Sequence, residues 1–157
     1  MASVRMQIER DMSDKMEKVL FRVAAFAWMA MVVWFSSRPG SEVKIDHPVD
    51  KVIHAGVYGM LSFLLALGTG RRTRPHALWL VPLLVLGFGL TDEFHQSFVP
   101  GRSVSLGDLG ADAAGAVTAT LLWWLARRQG RREVTGQAGG RPAGTWSNPP
   151  VTESGSN

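Results

Sequence analysis

Residues 91–112 read TDEFHQSFVPGRSVSLGDLGAD and place many polar side chains between two strongly apolar segments, 77–90 and 113–126. The stretch contains four carboxylates together with one arginine, one histidine and one glutamine. Charged groups so close to membrane-like sequence are costly, and they indicate a functional site. We therefore expect the rest of the chain to be arranged around this stretch.

Composition narrows the class of protein. A chain of 157 residues has room for about one domain. The absence of cysteine excludes disulfides, thiolate metal sites and cysteine nucleophiles. The net charge of +4 would suit a nucleic-acid-binding protein, but the basic residues follow a membrane topology instead. No nucleic-acid partner is expected.

The apolar residues fall into four blocks, at about 19–37, 50–67, 77–97 and 106–126. A helix needs about 20 apolar residues to cross a bilayer, and each block approaches that length. The pattern predicts an all-α, four-transmembrane-helix bundle over 19–128. Pro82 lies early in the third helix and is expected to kink it.

The two ends of the chain differ from this domain. Residues 1–18 carry dense charge of both signs with a partial apolar stripe, which predicts either a helix on the membrane surface or a solvated segment. Residues 129–157 are rich in Gly, Pro, Ser and Thr without apolar periodicity. That composition predicts a disordered cytoplasmic tail.

The basic residues predict the orientation of the bundle. Of the 17 lysines and arginines, 13 lie in the N-terminal segment, the turn between the second and third helices, or the tail. Short loops rich in Lys and Arg stay cytoplasmic, so both termini are expected in the cytoplasm. The 91–112 stretch then lies at the outer face.

Helical spacing predicts that polar groups from three helices converge there. The second helix carries Asp50, His54 and Tyr58 at intervals of four residues, which places them on one face. The third helix carries Asp92 and Gln96 at the same interval, and so does the fourth with Asp108 and Asp112. Beside these two aspartates runs a small-residue seam that allows close helix contact, formed by Gly107, Ala111, Gly115 and Ala119.

Three linked motifs run through these segments: DK..H...Y at 50–58, DE.HQ.F.PGR..S..D at 92–108, and a small-residue run at Gly115. Over about 28–125 their order and spacing resemble the VanZ-like family of small bacterial membrane proteins. The resemblance implies a multi-pass protein of the bacterial inner membrane. It also implies a cell-envelope role of the glycopeptide-antibiotic tolerance type. The family often has Asn where this chain has Asp112.

The candidate ligand-binding residues are those that reach the outer end of the bundle: Lys51, His54, Tyr58, Asp92, Glu93, His95, Gln96, Arg102 and Asp108. Paired carboxylates and a histidine can also act as general acid and base. The catalytic candidates on that reasoning are Asp92, Glu93, His54 and Asp112.

Each of these residues also has a structural interpretation. Intramembrane charges usually pair, so Arg102 could instead clamp Asp92 or Asp108. Ser105 is placed to cap the fourth helix, with Asp108 completing a pattern like a capping box. There is no HExxH motif, and metal ligands would have to come from separate helices, so no metal and no cofactor is expected.

Three functions remain open. The leading hypothesis is that the outward-facing pocket binds an anionic lipid-linked or wall-related ligand, held by Arg102 and Lys51. The second is an intramembrane transferase or hydrolase that uses the carboxylates. The third is a scaffold whose charges only lock the helices. Membrane lipids and a second copy of the chain are the expected partners. A proton-coupled transporter would need at least a dimer of such four-span chains.

Overall fold

The computed structural model describes residues 1–40, 47–70 and 73–139, and within these ranges it contains helices and no strand. The helices are α1 (Ala2–Ser36), α2 (His47–Thr69), α3 (Pro75–Leu78), α4 (Leu80–Gln96) and α5 (Leu106–Gly139). Four stretches are long and apolar enough to cross a membrane: Ser3–Ser36, Val49–Thr69, Pro75–Gln96 and Leu106–Gln129. The predicted all-α fold with four membrane-length segments is confirmed.

The first helix differs from the prediction of a separate segment over 1–18. It is one continuous helix of 35 residues, Ala2–Ser36. No Gly or Pro occurs within it, so nothing in the sequence interrupts its backbone hydrogen bonds. At about 1.5 Å per residue it is some 50 Å long, well beyond the roughly 30 Å of a hydrocarbon core. The surface placement of 1–18 stays a prediction.

Two prolines explain the boundaries of the next helices. The second helix begins at His47, three residues before the predicted start, because Pro48 is tolerated in a first turn. The third membrane segment is interrupted at Trp79, which separates α3 from α4. Pro82 has no N–H to donate to the carbonyl of Leu78 one turn earlier, which accounts for the break at Trp79. The kink at Pro82 itself stays a prediction.

The fifth helix is longer than the predicted fourth span. It runs to Gly139, so residues 129–139, predicted to be part of a disordered tail, are helical. After Pro100, the next proline is Pro142, so none interrupts this extension. The rest of the predicted tail, 140–157, lies outside the described residues.

The closest helix contact joins α2 to α5 through the small-residue seam. A Cβ added to Gly115 would lie 2.0 Å from the carbonyl oxygen of Ala55, and one added to Gly59 would lie 3.3 Å from the Gly115 oxygen. One turn further on, the Ser62 hydroxyl donates to the carbonyl of Ala116 and shares a hydrogen bond with Thr120. The predicted seam is therefore a backbone-to-backbone contact at Gly115.

Candidate functional site

Polar side chains gather at the end of the bundle where α1 and α4 finish and α2 and α5 begin. We call this the polar end; its members are Asp50, Lys51, His54, Tyr58, Asp92, Glu93, Gln96, Arg102, Asp108 and Asp112. Four of its carboxylates are nearly inaccessible, with exposures of 4% for Asp92, 5% for Glu93, 8% for Asp108 and 1% for Asp112. Buried carboxylates are unfavourable unless they are paired or hydrogen-bonded, so each needs a partner.

Two pairs connect α2 to α5. The Lys51 ammonium donates to Oδ1 of Asp108, and Nδ1 of His54 lies 2.9 Å from Oδ1 of Asp112. Lys51 and His54 are three residues apart on α2, while the two aspartates are four apart on α5. Residues at these intervals share a helix face, so the two helices present matched pairs.

A second connection joins α2 to α4. The buried hydroxyl of Tyr58 donates to Oδ2 of Asp92 over 3.0 Å, and the side-chain amide of Gln96 donates to the same oxygen over 2.8 Å. Gln96 follows Asp92 by one helical turn, as predicted from their spacing. The aspartate therefore has two donors on one oxygen.

Glu93 takes a role that the sequence does not indicate. The backbone N–H of Ser105 donates to Oε2 of Glu93 over 2.9 Å, while the Ser105 hydroxyl accepts from the N–H of Asp108 over 3.3 Å. Ser105 thus caps α5 as predicted. The capping-box prediction for Asp108 is wrong. In a capping box its side chain would accept from the Ser105 N–H. Here that side chain accepts from Lys51, and the Ser105 N–H donates to Glu93 of α4.

Arg102 binds carbonyl groups. Its Nε donates over 3.3 Å to the carbonyl of Arg38, just beyond α1, and its Nη2 donates over 3.4 Å to that of Phe35, in the last turn of α1. The prediction that it clamps Asp92 or Asp108 is wrong for the described part of the chain. The Phe35 carbonyl also accepts from the backbone N–H of Arg38 over 3.1 Å, and the partial negative charge at a helix C-terminus favours a guanidinium there.

An equivalent contact occurs at the opposite end of the bundle. Nε of Arg22 donates over 3.2 Å to the carbonyl of Gly68, near the end of α2. Both arginines therefore donate to carbonyls of a neighbouring helix, at or just beyond its C-terminus. They differ in surroundings, since only Arg102 lines the cavity of the polar end.

His95 lies apart from the other predicted ligand-binding residues. It is exposed on α4, and its Nε2 lies 2.9 Å from the hydroxyl of Ser37 beyond α1. It neither lines the cavity nor contacts a carboxylate within the described ranges. His95 lies on the exposed face of α4, whereas Glu93 and Gln96 lie on its buried face.

A cavity of about 330 Å³ opens between α1, α2 and α4 at the polar end. Sites for small molecules typically measure about 300–1,000 Å³. Its polar walls come from Ser36, Asp50, His54, Tyr58, Asp92, Gln96 and Arg102. Its apolar walls come from Trp28, Met31, Val32, Phe35, Ile53 and Val57.

The α1 side of this cavity is the part that sequence reasoning missed. Apart from Ser36 it consists of apolar residues in an ordinary membrane segment, and nothing in their type distinguishes them from lipid-facing ones. Trp28 also has a polar group, an indole N–H that donates to the carbonyl of Val57 over 3.0 Å and so holds α1 against α2. Tryptophan N–H groups usually find such partners when buried.

Three buried carboxylate oxygens lack a hydrogen-bond partner among the described residues: Oδ1 of Asp92, Oε1 of Glu93 and Oδ2 of Asp112. Each belongs to a carboxylate whose other oxygen is bonded. Unpaired buried acceptors are rare in proteins and call for a proton, a cation or a water. The polar end can therefore supply acceptor groups to a bound molecule or ion.

Histidine and carboxylates also meet in a geometry that could hold a metal. Donor atoms of Asp50, His54 and Asp108 all lie within 4.8 Å of one another. The Nδ1 contact to Asp112 leaves Nε2 as the available nitrogen of His54. His95 is not part of this grouping.

Comparison with known proteins gives one result. The family model described as VanZ/LLP1 matches residues 8–127, which include every member of the polar end. No curated protein and no solved structure matches the chain. The VanZ-like resemblance inferred from the motifs is confirmed.

Proposed function

Because the chain belongs to the VanZ/LLP1 family and has four helices able to cross a membrane, we propose that it acts in the bacterial cell envelope. In this proposal the cavity at the polar end binds an anionic lipid-linked or wall-related molecule. The distribution of basic residues supports an inner-membrane orientation with both termini in the cytoplasm. The polar end then meets the outer leaflet, where such molecules are exposed.

The observation that carries the proposal is the mixed lining of the cavity. One wall is apolar and comes largely from α1, while polar groups from α2, α4 and Arg102 form the other. A binding site that is mainly apolar, with a few placed polar groups, suits a molecule with both a hydrocarbon part and a head group.

A second cavity extends the apolar surface along the same helices. It measures about 220 Å³ and is lined only by apolar side chains, including Phe26, Leu65 and Phe88. On α2 and α4 its residues lie farther from the polar end than those of the first cavity, and on α1 the two linings meet at Trp28 and Met29. This succession favours a lipid whose head occupies the first cavity and whose chain follows the second.

Arg102 is the cation best placed for the anionic group. Lys51, the other predicted anion ligand, is already paired with Asp108. The guanidinium of Arg102 has five N–H donors, and two of its nitrogens bind the α1 carbonyls, so further donors are available. Asp50 and Asp92 would accept from hydroxyl or ammonium groups of the same molecule.

The test is the set of lipids that co-purify with the chain. Wild type, Arg102→Ala and Arg22→Ala would be purified in mild detergent and their bound lipids measured by mass spectrometry. Arg22→Ala is the matched control, because it also removes an arginine from helix-end carbonyls but lies away from the cavity. We expect one anionic envelope lipid enriched with wild type and the control, and reduced about tenfold with Arg102→Ala, roughly the effect of one charged contact.

Two results would contradict the proposal. One is a lipid profile that is the same for all three proteins while each remains monodisperse. The other is full tolerance to a glycopeptide antibiotic in a sensitised host that produces folded Arg102→Ala protein, when deletion of the gene abolishes that tolerance.

One observation favours an intramembrane transferase or hydrolase as a second candidate. His54 lines the cavity while Asp112 holds its Nδ1, which is how a carboxylate orients a general base. This candidate predicts that purified protein converts an envelope lipid. Turnover should be lost in His54→Gln and kept in His95→Gln, which alters a histidine outside the cavity. Unchanged lipid composition in a deletion strain would argue against it.

A further inference from the structure

The polar end holds more negative than positive charge. Five carboxylates meet there: Asp50, Asp92, Glu93, Asp108 and Asp112. Within the described ranges Lys51 is the one lysine or arginine paired with any of them, since Arg102 binds backbone carbonyls. Buried charges are tolerated when they are paired or coordinate a metal. We propose that Asp50, His54 and Asp108 bind one divalent transition-metal ion at the wall of the cavity.

The ligand atoms already lie close together. Asp50 and His54 are one helical turn apart on α2, and Asp108 faces them from the first turn of α5. Their donor atoms lie within 4.8 Å of one another. In a tetrahedral zinc site with bonds of about 2.0–2.2 Å the ligand atoms lie about 3.3–3.6 Å apart, so the three atoms would have to approach one another by up to about 1.5 Å, through side-chain rotations.

His54 is held as metal-binding histidines usually are. Its Nδ1 is bonded to Asp112, which is 1% exposed, so its ring orientation is fixed and Nε2 is left for the ion. A carboxylate behind a ligating histidine is the usual outer-shell arrangement at such sites. Asp112 is therefore a positioning residue in this proposal.

A separate observation on the same cavity points to a cation. Asp92, on the cavity wall with Asp50 and His54, is 4% exposed and keeps Oδ1 without a hydrogen-bond partner in the described chain. A water bound to the ion could donate to this oxygen. Asp108 gives one oxygen to Lys51 and has a second for the ion.

The donor set indicates which metals suit the site. Imidazole nitrogen with carboxylate oxygens suits zinc and its neighbours in the first transition row. Three protein ligands with an open position are typical of catalytic rather than structural zinc. The metal site does not depend on the proposed lipid ligand, because metal binding is measured without any lipid.

The experiment uses the full chain, free of any histidine tag, in detergent with Zn²⁺ as the probe. Zinc affinity would be measured by competition with a chromophoric chelator for wild type, Asp50→Asn, His54→Gln and the control His76→Gln. His76 is an exposed histidine on α3, away from the polar end. We expect about one zinc per chain in wild type and control. Each cluster variant should bind about tenfold or more weakly, since even an outer-shell change has an effect of that size.

Equal zinc affinity in all four proteins, or no zinc bound by wild type, would overturn the proposal. X-ray absorption of zinc-loaded wild type gives a test that needs no variant to fold. An imidazole nitrogen together with carboxylate oxygens near 2.0–2.2 Å supports the site, and a shell of oxygens alone overturns it. Loss of zinc binding with unchanged lipid co-purification would leave the proposed function standing, and the reverse result would leave the metal site standing.

Discussion

The contact between α2 and α5 has two levels that use different chemistry. Near Gly115 the helices touch backbone to backbone, and the polar groups of Ser62 and Thr120 are satisfied locally. Within about one to two turns of Gly115, on the side of the polar end, the same helices face each other through His54 with Asp112 and Lys51 with Asp108. The first level holds two helices together without any charge.

This difference bears on whether the charges only lock the bundle. Small residues allow the close packing that drives helix association in membranes. A buried ion pair contributes less to helix association than such packing, because the cost of desolvating the two charges offsets much of their attraction. Among the described residues the polar end also leaves three buried carboxylate oxygens without hydrogen-bond partners, which a purely structural interface has no reason to do. The comparison therefore favours a binding role for the polar end over the scaffold hypothesis.

The largest effect is expected for Gly115→Ala. The new Cβ would lie 2.0 Å from the Ala55 carbonyl oxygen, so the two backbones would have to separate. We expect a loss of about 3 kcal/mol or more in stability. Thermal unfolding in detergent, followed by the monodisperse fraction, measures it. The control is Gly110→Ala on the same helix, where a Cβ meets nothing within 4 Å. Equal losses for both would show that the close contact does not determine stability.

A smaller effect is expected at the charged level. Asp112→Ala leaves the partly buried His54 ring without its hydrogen-bond partner and should lower stability by about 2–3 kcal/mol. Removing both groups, in His54→Ala with Asp112→Ala, should lower it less than the sum of the two single changes. The expected coupling is about 1–3 kcal/mol, measured by a double-mutant cycle. Strictly additive losses would mean that the pair does not act as a unit.

The smallest effect is expected for Thr120→Val at the uncharged level. Ser62 keeps its hydrogen bond to the Ala116 carbonyl, so one side-chain bond is lost while the shape is retained. A loss of about 0.6 kcal/mol is expected, the average for such bonds between membrane helices. Ser62→Ala removes both bonds and should cost more by the same unfolding assay. The reverse order would indicate that Thr120 has a further role.

The sequence predicts the parts of the structure that depend on residue type and interval. Four apolar blocks predict the membrane segments, and the glycine and alanine repeat predicts the contact at Gly115. Spacing also brings His54 and Asp112 to the same end of the bundle. The number of membrane-length helices agrees with the prediction because a bilayer requires each spanning segment to satisfy its own backbone hydrogen bonds.

The partners of individual side chains could not be predicted in the same way. Arg102 bonds two main-chain carbonyls, and every residue has such a carbonyl, so no residue type signals it. Glu93 accepts from the Ser105 backbone because of how α4 is rotated, which spacing along one helix does not determine. The apolar wall from α1 depends on helix packing, and His95 is excluded from the site by the same rotation.

The length of α1 has a practical consequence for imaging. The helix continues without a break from Ala2 to Ser36, and residues 3–17 are exposed along its first half. A soluble helical protein fused in register to its start would therefore be held by a continuous rod rather than a flexible linker. Such a fusion would provide a fiducial for single-particle electron microscopy of a 17.1 kDa chain that is otherwise too small to align.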